Sequence, residues 1–231
     1  MAGKIVEVRG LEFHYPDGTA ALRGIDFYVQ EGESVALLGA NGSGKSTFAL
    51  HLNGLLQGKG EIRICGRELT ASSLAGIRKK VGLVFQNSDT QLFMPTVLED
   101  VCFGLLNQNV PLRDAVQRAK DELERVGMAF AAHKPPHHLS AGEKKRAALA
   151  GILVLQPEVL VLDEPTTFLD PPGQRALADL LRNLPQDAET LAQTHFRLRS
   201  PSRLLKFTHD VETAIAGFKR GEPPAAIPER Q

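Results

Sequence analysis

An excess of charge of either sign is missing from this chain of 231 residues: Lys plus Arg and Asp plus Glu both number 27, for a formal net charge of zero. A dedicated nucleic-acid binder shows a basic surplus, so no nucleic-acid partner is expected. Long apolar runs are missing too. The longest, Ala147 to Leu155, falls well short of the ~18 residues that would span a bilayer, and it reads as a core segment. Cysteine is scarce. Cys65 and Cys102 make neither a disulfide framework nor a metal site. The opening stretch MAGKIVEVRG alternates like a strand and lacks the features of a signal peptide. A cytosolic protein is expected, and 42% apolar residues is enough to bury a core in one large domain or two small lobes.

The stretch that organises the rest is GANGSGKST, Gly39, Ala40, Asn41, Gly42, Ser43, Gly44, Lys45, Ser46 and Thr47. Two glycines with Lys and Ser at this spacing make a phosphate-binding loop. A strand, Ser34 to Leu38, leads into a turn whose backbone N–H groups face an anion, and a helix from about Ser46 to Leu56 adds the positive end of its dipole. Side chains at Gly42 and Gly44 would block that approach. Lys45 is expected to reach the β- and γ-phosphates of a nucleotide, and the Ser46 hydroxyl to bind Mg²⁺. A chance glycine-rich turn before a helix is the bland alternative.

Ahead of the loop, short β segments run through Ile5, Val6 and Val8, through Leu11 and Phe13, and through Ile25, Phe27 and Val29, with a turn at Pro16–Asp17–Gly18. Tyr15, one of two tyrosines, stands just before that turn. It could stack on a base, or simply be a packed strand residue. Further strands are expected at Glu61–Ile64 and at Val81–Phe85, the latter ending in Gln86. The segment 87–138 begins as loop (Asn87 to Pro95) and turns helical, with Leu112, Val116, Ala119, Leu123 and Val126 on one face. Ser140-Ala141-Gly142-Glu143 has the form of a capping box that opens a helix. Val159 to Leu162 is an apolar run ending in Asp163 and Glu164, acids that emerge at the carboxyl edge of a buried parallel strand. Asp163 suits Mg²⁺ and Glu164 suits polarising a water; an ordinary acidic turn is the alternative.

In this order the pieces resemble the nucleotide-binding subunit of an ATP-binding-cassette transporter, over roughly residues 4 to 195. Within that superfamily, Val81–Gly104 and Pro135–Gly151 look like energy-coupling-factor ATPases, closest to those of cobalt or nickel uptake. The resemblance implies an α/β P-loop core with an antiparallel β subdomain and an inserted helical subdomain. Its expected divisions are residues 1–86, 87–150, 151–195 and an atypical tail, 196–231. It implies ATP and Mg²⁺ as ligands, with Tyr15 stacking on adenine. It implies a head-to-tail homodimer, or a heterodimer with a related subunit, in which Ser140, Ala141, Gly142 and Glu143 meet the nucleotide in trans and Asp170 lies at the same interface. Glu164 would activate water, His195 would sense the γ-phosphate, and Gln86 would contact Mg²⁺ and water. Asn87 to Pro95 would grip integral membrane transport subunits, which would place the chain on the cytoplasmic face of the membrane.

Three departures stand out. Ala141 replaces a usual glycine and Phe168 a usual small residue or Asn, both where hydrolysis depends on close approach between subunits. After His195 the family pattern stops: Phe196 to Gln231 carries seven Lys or Arg, four Asp or Glu and four prolines. A divergent surface tail and a shifted reading frame explain this equally well, and Val211 to Lys219 has the spacing of one short amphipathic helix. His195 is preferred to His209 as the switch because its distance from Glu164 matches the family. Other functions compete. A soluble cassette in DNA repair or translation would carry a long coiled-coil arm, absent here. A vitamin importer or a low-turnover nucleotide binder stays open, and a small-molecule kinase leaves Gln86, LSAGE and His195 unexplained.

Overall fold

The computed structural model describes residues 3–182 and the backbone of residues 192–196. Strands β1 (Lys4–His14) and β2 (Ala20–Gln30) form a hairpin around the Pro16–Asp17–Gly18 turn, where Asp17 Oδ1 accepts from the Thr19 N–H at 2.9 Å. Alternation in these strands buries Val6, Val8, Leu22, Phe27 and Val29 on one side. With β4 (Lys59–Ile64) and β5 (Arg67–Glu68) they complete an antiparallel sheet in the order β2-β1-β4-β5.

The second sheet is parallel, and three of its four strands, Val35–Leu37, Val81–Val84 and Val159–Leu162, carry no polar side chain and are buried along their whole length, as burial on both faces requires. It contains β3 (Val35–Leu37), β6 (Val81–Val84), β7 (Val159–Leu162) and β8 (Ala192–Phe196), in the order β3-β8-β7-β6. Helix α1 (Lys45–Leu52) buries Phe48, Ala49 and Leu52 in one cluster with residues of both sheets, and Phe27 of β2 stands edge-on to Phe48 at 5.2 Å. The helix stops four residues short of the expected Leu56. Asn53 turns its amide onto the Val81 carbonyl at 2.9 Å, and Gly54 takes a left-handed φ of 68°. A Cβ there would lie 2.3 Å from Leu74, so only glycine ends the helix in this way.

Helix α2 (Leu74–Lys80) leads into β6. A second cluster joins α3 (Val97–Asn107), α4 (Leu112–Arg125) and α5 (Ala141–Leu153). The expected apolar face of α4 holds at Ala119, Leu123 and Val126, which are buried, and at Val116, which packs half-buried on the same cluster, but it begins at Ala115, and Leu112 is 65% exposed. Two alanines in the stripe let α4 lie close to its neighbours, and Leu112, the first helical residue, falls outside the contact. Leu149 and Leu153 on α5 face a third cluster with Leu160, Leu162 and α6 (Pro171–Arg182). The tail after Phe196, with the helix anticipated at Val211–Lys219, lies outside the described residues.

Candidate nucleotide site

The phosphate loop leaves β3 and enters α1 through Gly44, which sits at the N-cap with φ 93° and offers no side-chain cap. The first N–H groups of the helix are therefore left to an anion. A Cβ on Gly44 would lie 2.6 Å from the Ala21 carbonyl, so the requirement for glycine comes from packing against β2 as well as from ligand approach. At Gly42 the space is open and the left-handed φ of 78° makes the demand. Lys45 is buried, and its ammonium donates to the carbonyls of Gly39 at 3.1 Å and Ala40 at 3.0 Å. Ser43 Oγ is buried with no hydrogen-bond partner. A loop with a buried cation, an orphaned hydroxyl and free helix N–H groups suits a polyphosphate.

The two acids arrive where β7 ends. Ser46 Oγ donates to Asp163 Oδ1 at 3.0 Å, joining α1 to the strand end. Burial pushes the Asp163 carboxyl above the usual aspartate pKa, opposed by that hydrogen bond and by the Lys45 charge. Among the described residues no cluster of three His, Cys, Asp or Glu side chains is present. Mg²⁺ does not need one, because it is commonly held by one or two carboxylates together with substrate phosphates. Ser46 and Asp163 fit that pattern. Glu164 sits at φ 44°, and its Oε2 accepts from Gln86 Nε2 at 2.9 Å and Thr167 Oγ1 at 3.0 Å. Gln86, at the end of β6, thus reaches the acid proposed to orient water. Tyr15 closes the other side: its hydroxyl and Thr47 Oγ1 are 2.8 Å apart. His195 is placed by backbone register, level with Ala36 of β3 and Leu162 of β7. The role expected of its side chain lies outside the described residues.

The remaining expected residues gather elsewhere. Ser140 caps α5 in a complete box: its Oγ accepts from the Glu143 N–H at 3.3 Å, while Glu143 Oε2 accepts from the Ser140 N–H at 2.7 Å. Asp170 caps α6, accepting from the Gly173 N–H at 2.9 Å. Ser140, Ala141, Gly142, Glu143, Phe168 and Asp170 line a cleft of about 440 Å³ that no residue of the phosphate loop lines. One chain therefore carries two separate parts of the expected site. Phe168 is 73% exposed at φ 67°, a backbone conformation that disfavours side chains.

Two lysines carry a contact that the sequence reading missed. Lys145 is buried on α5 and donates to the carbonyls of Phe85 at 3.0 Å and Gln86 at 2.7 Å. Lys144 pairs with Asp89 at 2.7 Å. Together they fasten the loop that carries Gln86 to the helix opened by Ser140. The signal was present, since Lys145 sits one turn before the buried Leu149, where the pattern calls for an apolar residue.

Comparison with known proteins agrees with this geometry. The pattern of the ABC transporter family matches residues 22–167. An energy-coupling factor transporter ATP-binding protein, EcfA, of Methanocaldococcus jannaschii is 54% identical over 190 residues, 81% of this chain and 68% of that protein. The protein of the same name from Methanosphaera stadtmanae is 52% identical over 217 residues, 92% of this chain and 77% of that one. Among solved structures, cbiO1 from Clostridium perfringens, described as part of the ABC transporter complex cbiONQ, superposes with a TM-score of 0.79. It is 33% identical and covers 94% of this chain and 92% of its own. A dimeric ATP-binding cassette in a post-hydrolysis state, bound to ADP and Pi, superposes with a TM-score of 0.76 at 26% identity, covering 87% of this chain and 98% of its own.

Proposed function

The chain belongs to the ABC transporter family, among its energy-coupling-factor ATP-binding subunits, and from that premise we propose that it drives a membrane importer of cobalt or nickel ions by hydrolysing Mg·ATP between paired subunits. The observation that carries the reading is the convergence of four side chains beside the phosphate loop. Ser46 bonds Asp163 at 3.0 Å and Gln86 bonds Glu164 at 2.9 Å.

Lys45 binds the β- and γ-phosphates, and the helix N-terminus after Gly44 holds the anion by N–H groups and dipole. Ser46 and Asp163 would hold Mg²⁺, which would neutralise phosphate charge there. Glu164 orients the attacking water and takes its proton, with Gln86 and Thr167 fixing the carboxylate. Ser140 and its helix N-terminus serve the nucleotide of a second subunit. The separation of the Ser140 cleft from the phosphate loop supports that division, as does the dimeric state of the related cassette.

Among the described residues, no helix is long and apolar enough to cross a membrane. The membrane partner is proposed to dock at the segment Asn87 to Pro95. Phe93, 64% exposed, stands edge-to-face with Phe103 at 4.9 Å there, and Asp100 accepts from the N–H groups of Phe93 and Met94 at 3.1 Å each. Cobalt or nickel as the cargo rests on the resemblance of Val81–Gly104 and Pro135–Gly151 to the ATPases of cobalt or nickel uptake.

Glu164→Gln tests the chemistry. The amide keeps the shape and loses the charge that aligns the water's proton, so turnover should fall at least ~100-fold while ATP binding persists. Parent-like hydrolysis by that variant would remove Glu164 from its role. Uptake of labelled Co²⁺ or Ni²⁺ by the subunit reconstituted with its membrane partners tests the cargo, and uptake of a vitamin instead would overturn it. A second reading, a cassette of low turnover, has one observation in its favour: Phe168 and Ala141 add bulk to the rim that must meet a partner.

A further inference from the structure

Four side chains at the junction of β1 and α1 close on one another. His51 Nδ1 donates to the Thr47 carbonyl at 2.7 Å. The His51 ring stands edge-to-face with Phe13, centroids 4.8 Å apart, and Phe13 stands edge-to-face with Tyr15 at 5.1 Å. The Tyr15 hydroxyl returns to Thr47 Oγ1 at 2.8 Å. The circuit begins and ends on the residue that follows Ser46 of the phosphate loop.

The chemistry of His51 explains why the circuit needs a histidine. A carbonyl only accepts, so Nδ1 carries the proton. The residue is 0% exposed, and burial holds its pKa below the ordinary histidine value, so the ring is neutral at pH 7. Nε2 is then a bare acceptor, and it is buried without a partner. Such a group costs free energy that an apolar side chain would avoid. A leucine, however, would supply neither a donor for Thr47 nor a ring for Phe13.

We propose that His51 and Phe13 are positioning residues that preset Tyr15 as a platform for the nucleobase. In this way a fully buried histidine sets part of the preference for ATP over a base-free polyphosphate. The proposal rests on the reading of Tyr15 as the residue that stacks on the base. Tyr15 stands at the end of β1, 37% exposed, where an unbraced ring would have to be ordered by each ligand that binds. A ring held beforehand loses less freedom on stacking. Because Tyr15 and the phosphate loop share Thr47, the base platform and the phosphate cradle move as one piece.

The measurement is calorimetric affinity for Mg·ATP and for Mg·tripolyphosphate, reported as their ratio, which cancels any general loosening of the phosphate loop. Tyr15→Ala should lower the ratio about tenfold, as loss of a base–aromatic stack does. His51→Leu should lower it about threefold, in the range of one aromatic pair. Tyr15→Phe keeps the ring, removes the hydroxyl and opens no core cavity; it should lower the ratio about twofold by the loss of one hydrogen bond. In a Tyr15→Ala background, His51→Leu should have no further effect. The positioning role is overturned if His51→Leu and Tyr15→Phe both leave the ratio at the parent value, or if His51→Leu lowers it equally without Tyr15. An unchanged ratio in Tyr15→Ala overturns the stacking role and this inference with it. Failure of the parent to bind either ligand strikes the phosphate-loop reading itself.

Discussion

Around the phosphate loop, long polar side chains are paired within the chain: Lys45 with two loop carbonyls, Asp163 with Ser46, Glu164 with Gln86 and Thr167. At the Ser140 rim the arrangement is different. Ser140 and Asp170 spend their hydrogen bonds on capping their own helices, and between them Phe168 projects a large apolar ring in a strained conformation. Strain of this kind, of order 1–2 kcal/mol, persists where the surrounding structure imposes it. In the first region the described acid, amide and lysine side chains already meet partners within the chain. The second lines a cleft that no residue of the phosphate loop lines, in keeping with the proposed division of the nucleotide site between two subunits.

Substitutions on the two sides should therefore behave differently. The largest effect on binding belongs to the loop. Lys45→Ala removes the buried ammonium and should weaken Mg·ATP binding to a single subunit at least ~tenfold, equivalent to ~1.4 kcal/mol, by calorimetry. Ser140→Ala on the rim gives the contrast: helix stability should fall by about 1 kcal/mol through loss of the cap, while ATP affinity of the single subunit moves less than ~twofold. A tenfold loss of affinity there would erase the distinction between the two regions.

The link between them comes next. Lys145→Met keeps the apolar stem and removes the donors to Phe85 and Gln86. Turnover should fall about fivefold, near 1 kcal/mol of barrier, with ATP affinity within ~twofold, because Gln86 loses its anchor and the phosphate loop does not. Equal losses in affinity and turnover would mean that Lys145 supports the fold alone.

The smallest effect is at the rim itself. Phe168→Gly relieves left-handed strain and should raise subunit stability by up to about 1 kcal/mol, whereas Ala141→Gly, made with it, removes bulk at the first residue of α5 at a helix-propensity cost of up to about the same size. Hydrolysis should rise about twofold to threefold, and only at concentrations where subunits pair. A rate per subunit that ignores concentration before and after the change would show that the rim does not meet a partner.

Sequence alone determined the parts whose rules are local. GANGSGKST dictates a strand, a glycine-rich turn and a helix because φ freedom, anion-facing N–H groups and helix capping all act within a few residues. The same holds for the Ser140 box and for the acids that end an apolar strand at Asp163 and Glu164. Tertiary structure decided what those parts touch. Ser46 meets Asp163 across 117 residues and Gln86 meets Glu164 across 78, contacts set by the order of the strands in the parallel sheet. Burial settled the competition on α4, where the stripe runs through Ala115 and leaves Leu112 exposed. It also made Lys145, a cation at a position where the helical pattern calls for an apolar residue, and His51 into inward-facing donors. No short-range rule carries that information: which face of a helix is buried depends on the free energy of packing against segments far away in the chain.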